Sequence, residues 1–164
     1  MAETPYLVDS NVLLRWVKPD HSDYPAIASA TDAILRSNGV LCYTSQNVAE
    51  FWNACTRPVD RNGYGLSPQD TDRRARFFEE KLRLLPDSLA VHEEWRTLLV
   101  THGVSGVQVH DARLVAAMRV HSVKRKPQCF YCFWNYADLV GYPEEQSWQA
   151  DIIYPDDPFF LQTA

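Results

Sequence analysis

The sequence predicts an α/β fold built on a mostly parallel sheet, and three observations carry that expectation. Strand-like and helix-like segments alternate along the chain, the pattern of strands joined by crossover helices. The first strand-like run, Tyr6-Leu7-Val8, ends on an acid, Asp9, before a new apolar series opens at Val12. The composition, 46% hydrophobic and 12% aromatic over 164 residues, is enough to bury one core of ordinary size, so a single domain over 1–164 is expected.

Each element has a local reason. Residues 5–8 read as a strand and 10–17 as a short helix. Pro19 and Pro25 bracket a turn, and a helix from Ala26 to Ser37 is stopped by Asn38-Gly39. Val40 to Tyr43 is the next strand, and Ser45 is positioned to cap a helix reaching Thr56 ahead of Pro58. The breaker-rich stretch RPVDRNGYGLSP (57–68) is a loop. Ser67, Pro68 and Asp70 then supply a cap, a first-turn proline and an early acid for a helix running to about Leu84. Leu82 to Leu85 turns into a strand, and Asp87 caps a helix to about Thr101. A loop at GVSGVQ (103–108) precedes the helical run DARLVAAMRVH, opened by Asp111. After a basic link come an aromatic strand, CFYCFW (129–134), a turn at NYADL and an edge strand near Ile152 to Tyr154.

Composition excludes several classes. No apolar run approaches the roughly 20 residues of a membrane span, so no membrane partner is expected. The start MAETPYLVDS lacks a basic region followed by an apolar core, which argues against a secretory signal and makes a cytoplasmic location the expectation. Four scattered cysteines do not make a disulfide framework. The formal charge of −5, from 21 acids and 16 bases, does not advertise a polyanionic partner. A cluster of metal-binding carboxylates is cancelled by its own ions, however, and the bases come in runs at Arg73-Arg74-Arg76 and Lys124-Arg125-Lys126.

Chemistry enters with the placement of the acids. Asp9 follows the first strand, Asp111 stands at a helix start, and Asp138 follows the aromatic strand, three residues after Asn135. In an open parallel sheet, the crevice beyond the carboxyl ends of the strands is where ligands bind. Carboxylates gathered there repel unless a positive charge lies between them, and Mg²⁺ or Mn²⁺, which prefer oxygen ligands, suit that place. Glu50 is a fourth acid of interest. In SQNVAEFWNAC, Val48, Phe51, Trp52 and Cys55 make one helical stripe and Glu50 lies nearly opposite, so periodicity alone places it in solvent.

The segments YLVDSNVLLR, TSQNVAEFWNACTRP, VHDARLVAAMRVH and NYADL with the following GYP resemble, in that order, the four signature segments of the PIN domain family. Within that family they are most similar to the VapC-like toxin ribonucleases of type II toxin–antitoxin systems, over nearly the whole chain. The resemblance implies a PIN-like α/β/α sandwich, with a central mostly parallel sheet flanked by helices. It implies a Mg²⁺- or Mn²⁺-dependent endoribonuclease in which Asp9, Glu50, Asp111 and Asp138 hold one or two ions that activate water for phosphodiester hydrolysis. Asn11 and Asn135 would be polar neighbours of that quartet. It further implies an RNA substrate, a cognate antitoxin protein that blocks the site, and a homodimer. Two features depart from the family pattern: Phe133 stands where a Thr or Ser is common, and the link from His121 to Asn135, containing KRKPQ, is longer than usual.

Other readings stay open beside it. A PIN-like scaffold binding RNA or protein with little catalysis fits the same residues, as does a nuclease for RNA processing or DNA flaps. Arg15, Arg113 and Lys124 to Lys126 are candidate substrate contacts. Cys129 and Cys132 form a CxxC, but on a strand residues three apart point to opposite faces, so core filling is the simpler role. His110, beside Asp111, is read as packing or capping rather than chemistry. Trp16, Phe51, Trp52, Phe77, Phe78 and Trp95 are read as core or interface residues. RRARFFEEKLR (73–83) reads as a solvated amphipathic helix. No phosphate-binding glycine loop and no GxSxG elbow is present.

Overall fold

The computed structural model describes residues 4–121 and 123. The aromatic strand, the NYADL turn, the last edge strand, the CxxC pair, Phe133, Asn135, Asp138 and Lys124 to Lys126 lie outside the described residues. The chain forms two compact units, Met1–Pro86 and Asp87–Ala164.

The first unit is organised on a three-stranded parallel sheet in the order β1-β2-β3: β1 (Thr4–Leu7), β2 (Gly39–Thr44) and β3 (Arg83–Leu85). Tyr6 lies opposite Leu41, Leu7 opposite Cys42 and Thr44 opposite Leu85. Parallel strands need crossovers, and helices supply them here. Between β1 and β2 run α1 (Ser10–Trp16) and α2 (Tyr24–Arg36); between β2 and β3 run α3 (Ser45–Thr56), a 3₁₀ turn (Val59–Arg61) and α4 (Pro68–Glu79). α1 packs on α2 and α3, α3 packs on α4, and α2 lies on β2.

Local chemistry explains most boundaries. Asn38 adopts the left-handed conformation, φ 63°, just past α2, which is how asparagine ends a helix. Gly39 is required for another reason. A Cβ there would sit 2.5 Å from Ile34 Cγ2 and 2.9 Å from Tyr6 Cε2, so only glycine lets β2 start against both α2 and β1. At α4, Ser67 Oγ accepts from the Asp70 N–H at 3.1 Å, with Pro68 in the first turn, as expected.

Several boundaries differ from expectation, three of them instructively. The cap of α3 is Thr44, not Ser45: the Thr44 hydroxyl accepts from the Asn47 N–H while the Asn47 side chain accepts from the Thr44 N–H. This is a capping box closed by asparagine. α4 stops at Glu79 rather than near Leu84: the Lys81 and Leu82 N–H groups both bond the Phe78 carbonyl in a closing turn, and Arg83–Leu85 then pairs with β2. The helix after β3 is capped by Ser88, not Asp87, through a 3.2 Å bond from the Val91 N–H.

The core of the first unit centres on Phe51 and Phe78, both fully buried, their rings edge to face at 5.0 Å. Tyr43 meets Phe78 in the same way at 5.8 Å. Burial of these rings, with that of Leu13, Trp16 and Leu41, contributes to the apolar core of this unit. Of the aromatic residues expected inside, Trp16 is buried, whereas Trp52 is half-buried and Phe77 is exposed, stacked edge-on against Trp16 at 5.6 Å. α4 is amphipathic as expected, burying Thr71, Ala75 and Phe78, with exposed pairs Arg76–Asp72 and Arg73–Asp70. Arg74 departs from that picture: it is half-buried and donates to the Val17 carbonyl at the end of α1.

The second unit contains α5 (Leu89–Thr101) and α6 (Gln108–Val120), packed on each other. The Trp95 indole donates to the Val109 carbonyl at 2.9 Å, and Arg119 pairs with Glu94 at 2.6 Å. α6 begins three residues before Asp111, at Gln108, and its N-cap position, Val107, offers no side-chain cap.

Candidate metal centre

Asp9 is delivered to the end of β1 by the sheet itself. The Val8 N–H continues the ladder to the Cys42 carbonyl at 2.8 Å, so the strand runs straight to the acid. The Asp9 carboxylate then caps α1, its Oδ1 accepting from the Asn11 N–H at 2.7 Å. The Asn11 side chain itself is exposed.

Glu50 is brought to the same place from α3. Ser10, next in the chain to Asp9, donates its hydroxyl to Glu50 Oε2 at 2.6 Å. Gln46, one helical turn before Glu50, donates to Oε1 at 2.8 Å. Asn47 Nδ2 donates to Ser10 Oγ at 3.1 Å. The residue next to Asp9 in the chain is thus tied to Glu50, forty positions on, in one knot of hydrogen bonds.

The periodicity reading of Glu50 as a solvent-facing residue does not hold, and the reason is geometric. The face that α3 buries is made of Gln46, Asn47, Phe51 and Cys55, whereas Val48 and Trp52 of the apolar stripe are only half-buried. At about 100° per residue, burial of two polar side chains turns the inward face by roughly 50° toward Gln46. That rotation carries Glu50 from the far side of the helix to the flank, where it is half-buried and bonded.

Asp111 lies in the first turn of α6, half-buried, in the second unit. Since the helix starts at Gln108, Asp111 is not its cap; an acid in a first turn is nonetheless favourable to the helix dipole. His110 is exposed. Two basic candidates for substrate contact are engaged with acids: Arg15 with Asp23 at 3.5 Å and Arg113 with Asp87 at 3.1 Å.

No group of three or more His, Cys, Asp or Glu side chains placed to hold an ion occurs among the described residues. The donor set of the first unit still fits a hard divalent cation. Mg²⁺ keeps several waters and is held by one or two protein carboxylates together with substrate phosphates, and the Ser10–Glu50 bond joins Glu50 to the residue that follows Asp9. Sequence reasoning passed over Ser10, Gln46 and Asn47. The Thr44-x-x-Asn47 spacing of a capping box and the four-residue step from Gln46 to Glu50 were the available signals.

These elements define a class: a PIN-like α/β fold, with a parallel sheet, crossover helices and an acid at the end of the first strand. Two solved structures carry the likeness. VapC20 from Mycobacterium tuberculosis, a sarcin–ricin loop cleaving toxin, superposes with a TM-score of 0.55 at 15% identity, over 85% of this chain and 97% of that one. VapBC2 from Rickettsia felis, bound to a DNA fragment from its promoter, superposes with a TM-score of 0.53 at 13% identity, over 76% and 90%. At these identities the shared property is the fold. Neither a protein-family model nor a curated protein sequence matches the chain.

Proposed function

We propose that this chain is a Mg²⁺- or Mn²⁺-dependent endoribonuclease, the toxin of a toxin–antitoxin pair. The observation that carries the reading is the Ser10–Glu50 hydrogen bond, which joins the segment bearing Asp9 to the acid of α3. Likeness of fold to VapC20 and VapBC2 supports the toxin assignment, and the second of these supports a cognate antitoxin as partner. Asp9 and Glu50 would hold the cation, with Asp111 and Asp138 completing the set and Asn11 and Asn135 beside it; a homodimer belongs to the same reading.

When bound, such a cation lowers the barrier to phosphodiester hydrolysis as a Lewis acid and activator of water. The chain's own residues bind and orient. Asp9 is held by the N–H that it caps, and Glu50 receives one hydrogen bond on each oxygen, so both carboxylates are fixed before an ion or substrate arrives. That preorganisation spares the reaction the cost of ordering them.

The test is Mn²⁺ titration by calorimetry, followed by cleavage of total RNA with and without chelator. Parent, Asp9→Asn and Glu50→Gln proteins should all fold. Only the parent should bind Mn²⁺ and cleave, with both variants down by more than about a hundredfold. Cleavage by Asp9→Asn at the parent's rate would refute the assignment.

A further inference from the structure

We infer that Asn47 is a positioning residue for Glu50, acting through Ser10: an amide-to-hydroxyl relay sets the orientation of the Glu50 carboxylate and thereby its affinity for a divalent cation. The inference deepens the metal-site reading above and rests on it.

The relay has a direction that its atoms dictate. The Thr44 backbone N–H can only donate, and it meets one atom of the Asn47 amide at 2.8 Å; that atom is therefore Oδ1. The Thr44 hydroxyl donates to the same oxygen at 2.8 Å. The other amide atom, Nδ2, thus faces Ser10 Oγ at 3.1 Å, and it can only donate. Ser10 has a single hydroxyl proton. With Asn47 donating to its oxygen, that proton is directed to Glu50 Oε2, 2.6 Å away. Gln46 fills a lone pair on Oε1, so the carboxylate is pinned at both oxygens with lone pairs to spare.

Burial makes the arrangement stiff. Asn47 is fully buried, Ser10 and Thr44 are nearly so, and Gln46 is buried too. A buried amide is costly to leave unsatisfied, and Asn47 satisfies its donor and acceptor sides in different elements, the cap of α3 and the start of α1. The residue that closes the capping box is therefore also the one that aims the acid. Partners of metal-binding carboxylates typically change metal affinity by about 10- to 100-fold when removed.

The experiment measures Mn²⁺ affinity by calorimetry and stability by urea unfolding on parent, Glu50→Gln, Ser10→Ala, Ser10→Thr, Asn47→Ala and the Ser10→Ala/Asn47→Ala double variant. The expected result is that Ser10→Ala weakens Mn²⁺ binding by about 10- to 100-fold while remaining folded. Ser10→Thr, which restores the hydroxyl, recovers affinity toward the parent. Because Asn47 acts through Ser10, the double variant should bind Mn²⁺ no more weakly than Ser10→Ala alone, though it is less stable. A merely structural Ser10 would lower stability and leave affinity unmoved. If the parent binds Mn²⁺ and Glu50→Gln does not, yet Ser10→Ala binds like the parent, the relay is overturned and the metal site stands. If the parent does not bind Mn²⁺ at all, the metal-site reading falls and the relay with it. A folded Asn47→Ala should also bind Mn²⁺ more weakly, and if it binds like the parent while Ser10→Ala is weakened, the part of Asn47 in the relay is overturned. Should it fail to fold, Asn47→Asp, which keeps the oxygen that accepts from Thr44 and when ionised has no proton for Ser10, takes its place.

Discussion

Cys55 shows how far burial alone can silence a reactive group. It has no exposed surface, and desolvation pushes its thiol up to about 11, against the smaller lowering influence of Arg74. A thiol so rarely ionised is a poor nucleophile, so Cys55 should resist iodoacetamide in the folded protein at pH 8 and react once urea unfolds it. The same shift makes stability depend on pH. The folded value lies above the ordinary 9.0, so the stabilisation is intact below about 9 and is lost as pH rises through about 11. Burial also raises Tyr43 and Tyr64, and part of the Tyr64 shift comes from Cys55. Cys55→Ala should therefore show a shallower fall in urea midpoint between pH 9 and 11 than the parent. Parallel slopes would show that the tyrosines account for the whole alkaline loss.

At the scale of the element, the boundary between β2 and α3 is the informative one. A threonine and a serine stand side by side there, and local preference admits either as cap. Thr44 wins because, in the structure, its extended backbone (φ −117°, ψ 165°) closes β2 and points its hydroxyl down the helix, while Ser45 is already helical. Thr44→Ala should cost about 1 kcal/mol of stability, and Ser45→Ala should stay within about 0.5 kcal/mol, read from urea midpoints. Equal losses would mean that the box contributes nothing beyond propensity. Other boundaries were legible because their signals are local: Asn38 turning left-handed before Gly39, and Ser67-Pro68 opening α4. The end of α4 was not, since a pattern rich in helix formers continues to Leu84 and only pairing of β3 with β2 gives the chain reason to leave the helix.

For the whole molecule, the fold predicted from alternation and from the resemblance is the fold observed: a PIN-like α/β arrangement with parallel strands β1, β2 and β3. No described helix is long and apolar enough to cross a membrane. Induced expression of the parent should arrest growth, Glu50→Gln at the same level should not, and co-expression of a small neighbouring gene product should restore growth. A parent that cleaves RNA in vitro yet is harmless at full expression would instead favour an RNA-processing nuclease.

The sequence by itself determined that a strand would end on Asp9 and that helices would start and stop near their caps and breakers, and it carried four acid-bearing segments whose order resembles that of a PIN domain. Those properties depend on near neighbours along the chain, or on the order of motifs, and a linear reading reaches both. Only the tertiary structure decided which way α3 faces. Its apolar stripe turns Glu50 to solvent, and what overrides the stripe is a hydroxyl and a backbone N–H supplied by other elements, Ser10 of α1 and Thr44 of β2. A buried amide finds its partners through space, and leaving Asn47 unsatisfied in the core would cost free energy that no reading along the chain can weigh.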